Sequence, residues 1–582
     1  MFALLRAEAG HNVPCMRTLV PLLLLTAWTA SAAQQLTPFT ADSGAPRAPE
    51  QIAVSFESAD LQLRVDPRRK AIQGNAALTF RAQSSVDRPV DRIVVELDRN
   101  LRIRGIDVDG VALAPRAWSN PDGRLFITLP KPLAAGEETT VRIRYGGKPH
   151  RAKRAPWDGG FVWAKTPDGK PWIATAVQGE GCDLFWPCID HPLGEPKRVD
   201  LHITVPAPLV AASNGVDMGM DEKDGWRTYH WRTRNPNTYA IALNIAPYAL
   251  MSGEYKSRFG NTIPLRFYYL PANEAKAKEL FAELTPILDF FEHAIGPYPF
   301  ADEKVGIAET PHLGMEHQTI NAYGNHYAKS PEGYDWLLQH EFAHEWFGNQ
   351  MTNANWDDMW LHEGFGSYMQ PLYMQSLHGD RVYFALLHRA RARIANKAPL
   401  VSGKPLTGLQ VYRADRGGPG GDIYTKGSYF LHALRNLIGD DAFFESTRRL
   451  VYGRSDPRPG NFAPRFASSR EFAQIVNDVT GRDYGWLFDV YVFDAKLPEL
   501  QSTRDAAGLT LVWKTAKDRP FPVPVDVRVG DVVQTLPMTD GRGQIAMAPD
   551  ATFTIDPGSK LFRHEPHIEV FQKWEEQQPR RR

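Results

Sequence analysis

Cysteine, excess charge and long apolar runs are all scarce in this sequence, and each scarcity narrows what the chain can be. There are 3 cysteines among 582 residues. Cys15 stands before a targeting-like segment, and Cys182 and Cys188, six positions apart, lack the partner spacing of metal ligands. An exported chain could join them as a disulfide, and a pair of buried thiols is the alternative. Lys+Arg and Asp+Glu both number 67, so the formal net charge is +0. That balance excludes the strongly basic domain expected of a nucleic-acid binder, and the tail Arg580–Arg582 reads as a solvated terminus. No run reaches the roughly 20 apolar residues of a membrane helix. The nearest approach is Leu19 to Ala27, preceded by Met16 and Arg17 and followed by the small residues Ala30, Ser31, Ala32 and Ala33. This is the order of a secretory signal over 1–33, with translation starting at Met16; a retained anchor is the alternative. The mature chain is then expected outside the cytoplasm, periplasmic or secreted, with no stable membrane insertion.

What is present is ordinary globular material. Hydrophobic residues make up 43% and charged residues 23%, and the length suits roughly three or four domains. Residues 34–50, rich in Pro, Ala and Ser, read as a linker. From Ile52 to Gly253 apolar and polar residues alternate, as in Leu61-Gln62-Leu63-Arg64-Val65 and Leu201-His202-Ile203-Thr204-Val205, with turns at Asp109-Gly110 and Asp122-Gly123. The pattern predicts an antiparallel β-domain over 51–253. Between 254 and 498 the period turns helical: Leu280, Leu284, Ile287, Leu288 and Phe291 share one face of a helix over 273–295. Further helices are predicted at 332–350, 364–376, 380–396, 427–437 and 469–478. Strands return over 499–571, before a tail at 572–582. The run Arg416-Gly417-Gly418-Pro419-Gly420-Gly421 reads as a flexible loop, since no Lys-Ser/Thr follows to make a phosphate cradle.

The chemistry centres on His340-Glu341-Phe342-Ala343-His344. Helix residues four apart lie on one face, so both imidazoles can reach one Zn²⁺. Glu341 then projects beside the metal, where it can take a proton from an attacking water. A catalytic zinc needs a third protein ligand and an open position. Glu363, 19 positions after His344 in Trp360-Leu361-His362-Glu363-Gly364-Phe365, can supply it, with His362 as the adjacent competitor.

This arrangement resembles the zinc aminopeptidase family of aminopeptidase N and the leukotriene-converting hydrolase, which are gluzincin metallopeptidases. The likeness extends to Trp346-Phe347-Gly348-Asn349 and Trp356-Asp357. It also covers Gly314-Met315-Glu316-His317, similar to the family's Gly-x-Met-Glu-Asn with Leu313 and His317 as departures. The resemblance implies that Glu316 binds the free α-amine of the substrate, with Gly314 and Met315 beside it and Met315 and His317 shaping a side-chain pocket. Gln178, upstream of Trp186-Pro187-Cys188-Ile189-Asp190, looks like the family's second amine-binding residue, and His191 stands where the family usually has Glu. Tyr424, in Tyr424-Thr425-Lys426-Gly427, resembles the tyrosine that hydrogen-bonds the oxyanion. The implied fold is multidomain α+β: an N-terminal antiparallel β saddle or sandwich, a thermolysin-like, mostly helical catalytic domain, and a small C-terminal β-sandwich. The family's large helical C-terminal domain has no counterpart in this sequence, which implies a more open cleft that admits longer peptides.

The function expected is therefore a metallo-aminopeptidase with one Zn²⁺ per chain, acting on peptides. The alternatives are a zinc hydrolase of other specificity, an endopeptidase or epoxide hydrolase, or a non-enzymatic scaffold on the same fold.

Overall fold

The alternation seen in the N-terminal third is a sheet with one dry face. Along Val54–Asp66, Leu61, Leu63 and Val65 are buried while Gln62 and Arg64 face solvent. Each inward side chain contributes roughly 1.5–3 kcal/mol on burial. The structure, a computed structural model, describes residues 35–460 and 462–578; the expected signal segment 1–33 and the basic tail Arg580–Arg582 lie outside them. Val54–Asp66 sits inside an eight-stranded sheet, antiparallel to Ala71–Ala82. On its other side it runs parallel to Arg198–Pro206, an exception to the antiparallel expectation. Asp109 and Gly110 both have positive φ, 49° and 81°, as a two-residue hairpin requires, and the turn joins Val108 to Val111. A three-stranded sheet built on Val90–Glu96 and a four-stranded sheet built on Pro171–Ala176 complete this half. Cys182 and Cys188 are joined as a disulfide, which decides the alternative left open by the sequence.

The catalytic half begins earlier than expected. Strand Ala249–Lys256 runs through position 253 and pairs with Thr262–Tyr269. These two, with Val305–Glu309, Asn321–Tyr323 and Gly314–Met315, form a five-stranded sheet that the helical reading of this region missed. Its strands Val305–Glu309, Asn321–Tyr323 and Gly314–Met315 are buried at every residue, so these carry no two-residue alternation to read. The predicted helix over 273–295 is two, Glu274–Ala282 and Leu284–Ala294, meeting at Glu283; Leu280, Leu284, Ile287, Leu288 and Phe291 are all buried as predicted. The helix expected over 332–350 is only Trp336–Ala343. It ends because the chain turns sharply to reach Gly348, whose φ of 152° suits glycine. The other predicted helices are present, as Trp360–His378, Asp380–Arg391, Asp422–Ile438 and Ser469–Thr480, and Asp440–Tyr452 adds one that was not foreseen.

Two boundary readings are corrected. Residues 36–50 are no linker: Thr40 and Ser43 are buried, and the segment is bound to both halves of the protein. Ser43 N–H donates to Gly179 O at 2.9 Å, Ser43 Oγ to Asp190 at 2.9 Å, and Ser43 O accepts from Gly408 N–H at 2.9 Å. Small residues gave a linker-like composition, but the anchoring groups are largely backbone. At the other end, strands stop at Ile555, after two three-stranded sheets, and Pro566–Glu576 is a helix rather than strand and tail. Pro566 suits a first helical position, and Gln572 fastens the helix to Ala392 O and Ile394 O, both at 2.9 Å. No helix among the described residues is long and apolar enough to cross a membrane.

Candidate active site

Three elements bring the predicted ligands together. Helix Trp336–Ala343 starts at Asp335, whose carboxylate accepts Leu338 N–H at 3.0 Å as a cap. His340 lies in its last turn and His344 forms its C-terminal boundary, so the four-residue spacing holds across the helix end. Glu363 lies in the first turn of Trp360–His378, where the helix dipole favours a carboxylate. The ligand atoms form a near-equilateral triangle: His340 Nε2 to His344 Nε2 is 3.3 Å, and Glu363 Oε2 lies 3.4 Å from His344 Nε2 and 3.5 Å from His340 Nε2. Tetrahedral zinc with bonds of about 2.0–2.1 Å needs donors about 3.3–3.4 Å apart, so the residues fit the ion. Glu363 Oε2 is buried with no hydrogen-bond donor of its own, as a metal-directed oxygen should be. His344 Nδ1 pairs with Phe347 O at 2.9 Å, which leaves Nε2 with the lone pair that faces the centre. Among the described residues these three are the one group of His, Cys, Asp or Glu side chains so arranged. His362 is turned elsewhere and accepts Asn353 N–H at 3.0 Å.

Glycines permit this closeness. A Cβ on Gly366 would stand 3.2 Å from His344 Cε1 and 3.4 Å from His340 Cε1, directly behind the ligands. A Cβ on Gly427 would stand 2.9 Å from Gly364 Cα, so the helices carrying Glu363 and Tyr424 meet backbone to backbone. That crossing delivers Tyr424 OH to Glu363 Oε1 at 2.9 Å. Tyr424 lies inside helix Asp422–Ile438, not before it as expected.

Glu341 and Glu316 share the same cleft, of about 470 Å³. Glu316 is buried and receives Gln178 Nε2 at 2.6 Å and Tyr239 OH at 2.8 Å on one oxygen, while Asn349 holds its backbone carbonyl at 3.0 Å. Gln178, Gly314 and Met315 line the cleft with it, as predicted. Of the departures from the family pattern, Leu313 lines the cleft. His317 is fully buried and absent from the lining, contrary to expectation, and His191 caps its own turn by accepting Leu193 N–H at 3.0 Å.

The electrostatics separate the three carboxylates. Burial, followed by the charge of Glu316, pushes the Glu341 carboxyl well above its ordinary range, and burial likewise raises Glu316. Burial would raise Glu363 too, but the imidazoles of His340 and His344 facing its Oε2 outweigh it and hold it well below the usual value. Burial, then the neighbouring Glu363 charge, keeps Tyr424 firmly protonated, as a hydrogen-bond donor must be. Three acids with no lysine or arginine among the lining residues make a cleft suited to a cation.

Several residues here escaped the sequence reading. Tyr412 OH reaches Glu363 Oε1 at 2.8 Å, and Tyr239 buttresses Glu316; neither stands in a motif. Trp157, 67% exposed, and Trp336 stand at the rim, and Gly420 and Gly421 of the glycine-rich run form part of the wall. The proximity of that run to Tyr424 was the available signal.

Comparison with known proteins agrees with this geometry. Residues 288–456 match the family described as Peptidase family M1 domain, and residues 55–239 match Peptidase M1 N-terminal domain. The chain is 28% identical over 355 residues to aminopeptidase B of Homo sapiens, covering 58% of this chain and 51% of that protein. It is 24% identical over 401 residues to leucine aminopeptidase 2 of Neurospora crassa, covering 66% and 57% respectively. The chain thus spans little more than half the length of these curated relatives. A solved structure of an M1 zinc metallopeptidase variant from Deinococcus radiodurans, bound to a Tyr-Ser-Ala substrate, superposes with a TM-score of 0.63 at 25% identity, covering 79% of this chain and 98% of that one.

Proposed function

This chain belongs to peptidase family M1, and from that premise we propose that it is a zinc aminopeptidase that removes N-terminal residues from peptides. The observation that carries the proposal is one cleft holding both the His340–His344–Glu363 triangle and the buried Glu316–Gln178 pair. One zinc per chain, held by His340, His344 and Glu363, would polarise the scissile carbonyl and acidify water. Glu341 takes a proton from the attacking water and delivers it to the leaving amine. Tyr424 donates its hydroxyl hydrogen to the oxyanion. Glu316 and Gln178 hold the substrate ammonium through charge-assisted hydrogen bonds, and so fix cleavage one residue from the end. The apolar wall of Met315, Leu313, Leu337 and Leu409 faces the substrate side chain. The proposed compartment is the periplasm or the exterior; the Leu19–Ala27 run and the Cys182–Cys188 disulfide support export.

A panel of aminoacyl fluorogenic amides, with and without chelator, tests this reading together with Glu316→Ala. Free-amine substrates should be cleaved only by the metal-loaded protein. Glu316→Ala should lose that turnover and keep its zinc. Cleavage of an N-blocked peptide at an internal bond, at a comparable rate, would overturn it.

A further inference from the structure

Two phenols converge on one oxygen of the third metal ligand. Tyr412 and Tyr424 bring their hydroxyls to Glu363 Oε1 at 2.8 and 2.9 Å, while Glu363 Oε2 faces the two imidazoles. Tyr412 also lies 3.2 Å from Gln178 Oε1, and the amide nitrogen of Gln178 donates to Glu316 at 2.6 Å. The side chains Glu316, Gln178, Tyr412 and Glu363 thus form an unbroken path from the amine subsite to the metal ligands. A phenol has one proton, so Tyr412 can serve only one of its two acceptors at a time. Gln178 cannot resolve the contest by turning its amide over. That would set its carbonyl oxygen 2.6 Å from the Glu316 carboxylate.

Both ends of this path are fastened by the same two residues. Tyr412 follows the turn Gly408–Val411, where Asp42 accepts Leu409 N–H at 2.8 Å and the Thr407 hydroxyl. Next to it, Ser43 binds Gly408 on one side and Gly179, the neighbour of Gln178, on the other. Residues 42–43 therefore hold Tyr412 and Gln178 in register.

We infer that Tyr412 is a positioning residue that couples docking of the substrate ammonium to the release of Tyr424 for the oxyanion; the inference rests on the aminopeptidase reading above. An ammonium seated against Glu316 also donates to Gln178 Oε1 and takes over that acceptor. Tyr412 then commits its proton to Glu363 Oε1. With that oxygen satisfied, Tyr424 can turn its hydroxyl to the oxyanion without stripping the ligand carboxylate of its last hydrogen bond. No covalent bond changes in this exchange; three donors are redistributed among the available acceptors.

The test is Tyr412→Phe, which keeps the ring and removes only the hydroxyl, with the melting temperature measured as a check on folding. Zinc affinity is read by competition with a fluorescent chelator. Turnover is read on an amide with a free α-amine and on its des-amino analogue. Zinc binding should weaken about 10-fold, the lower end of what removing a partner of a metal ligand costs. In the wild type the α-amine should raise kcat as well as lower KM. In Tyr412→Phe the gain in kcat should shrink by about 10-fold, within the usual range of coupling between sites, while the gain in KM, which rests on Glu316, remains. A purely structural tyrosine would lower both substrates' kcat together. Unchanged zinc affinity, or an unchanged kcat ratio between the two substrates, overturns the inference. Zinc affinity is measured without turnover, so failure of the aminopeptidase reading would be visible separately.

Discussion

Gly314→Ala should disable the general base while leaving the metal site whole. Gly314 lies in a short edge strand, paired with Tyr323, and its φ is not in the left-handed region, so alanine can adopt its backbone. The obstacle is space. A Cβ at 314 would stand 2.6 Å from Glu341 Oε1 and 2.8 Å from Leu337 Cδ1, where ordinary contact begins at 3.4 Å. The leucine methyl can swing aside. Glu341 has less freedom, because it sits between the ligands of one helix: His340 precedes it and His344 closes the turn. Its carboxylate must therefore rotate by about 0.8 Å to restore contact. A displacement of about 1 Å in a reacting group costs on the order of 100-fold, or about 2.7 kcal/mol in the barrier. We expect kcat on a leucyl amide to fall by about that factor. KM should change little, since Glu316 and Gln178 are untouched. Zinc content by metal analysis should stay near that of the wild type, because the new methyl meets neither histidine. Gly366→Ala is the control, with its methyl against His344 and His340 instead, so it should weaken zinc retention first. A Gly314→Ala enzyme with kcat within about threefold of the wild type would refute the reasoning, since an effect that small falls well short of a displaced base.

Tyr424→Phe should lower kcat by about 100- to 1,000-fold, the usual cost of one oxyanion donor, with zinc retained; steady-state kinetics at saturating metal decide it, and loss of zinc instead would mean that its contact with Glu363 is the greater part of its role. The stability of the protein should fall as pH rises between about 4.5 and 7, in part because of Glu180. Burial first, then the Asp158 and Asp42 charges, raise this carboxyl from 4.5 to about 7 against the opposing Gly159 N–H. Unfolded, it releases its proton near 4.5; folded, it keeps it until about 7, so its stabilising share is complete below the lower value and gone above the upper. Glu180→Gln should flatten the change in unfolding free energy from urea titrations between pH 5 and pH 7.5, by at most ~3 kcal/mol. An identical pH dependence in the variant would exclude Glu180 as its source.

How much of this was legible in the sequence depended on where each constraint resides. The zinc triangle was legible because side chains of distinctive type recur at a helical interval, and the interval survives although the helix ends at Ala343. The strand pattern around Leu61 was legible because one sheet face is wet. Strand Val305–Glu309 of the five-stranded sheet was not, because it is buried on both faces and alternation vanishes there. Glu316, Gln178 and Tyr424 were found through resemblance; nothing in their local sequence distinguishes a buried amine-binding carboxylate from a solvated one. The misses around Tyr412 share a deeper cause. Ser43 binds Gly179 and Gly408 chiefly through backbone groups, which every residue possesses, so the segment looked like a linker. Tyr412 itself follows a helix of only four residues, too short to show a period. A hydrogen bond donated by a backbone N–H across 367 positions of sequence, as from Leu409 to the Asp42 carboxylate, leaves no signature in residue type at its donor end. It follows that the parts of this site easiest to read are those that hold the metal, and the parts hardest to read are those that hold the substrate-binding path in register with it. Variation that leaves all three ligands intact can therefore still alter catalysis through residues 42–43 and 407–412, a region that residue type alone would class as connecting chain.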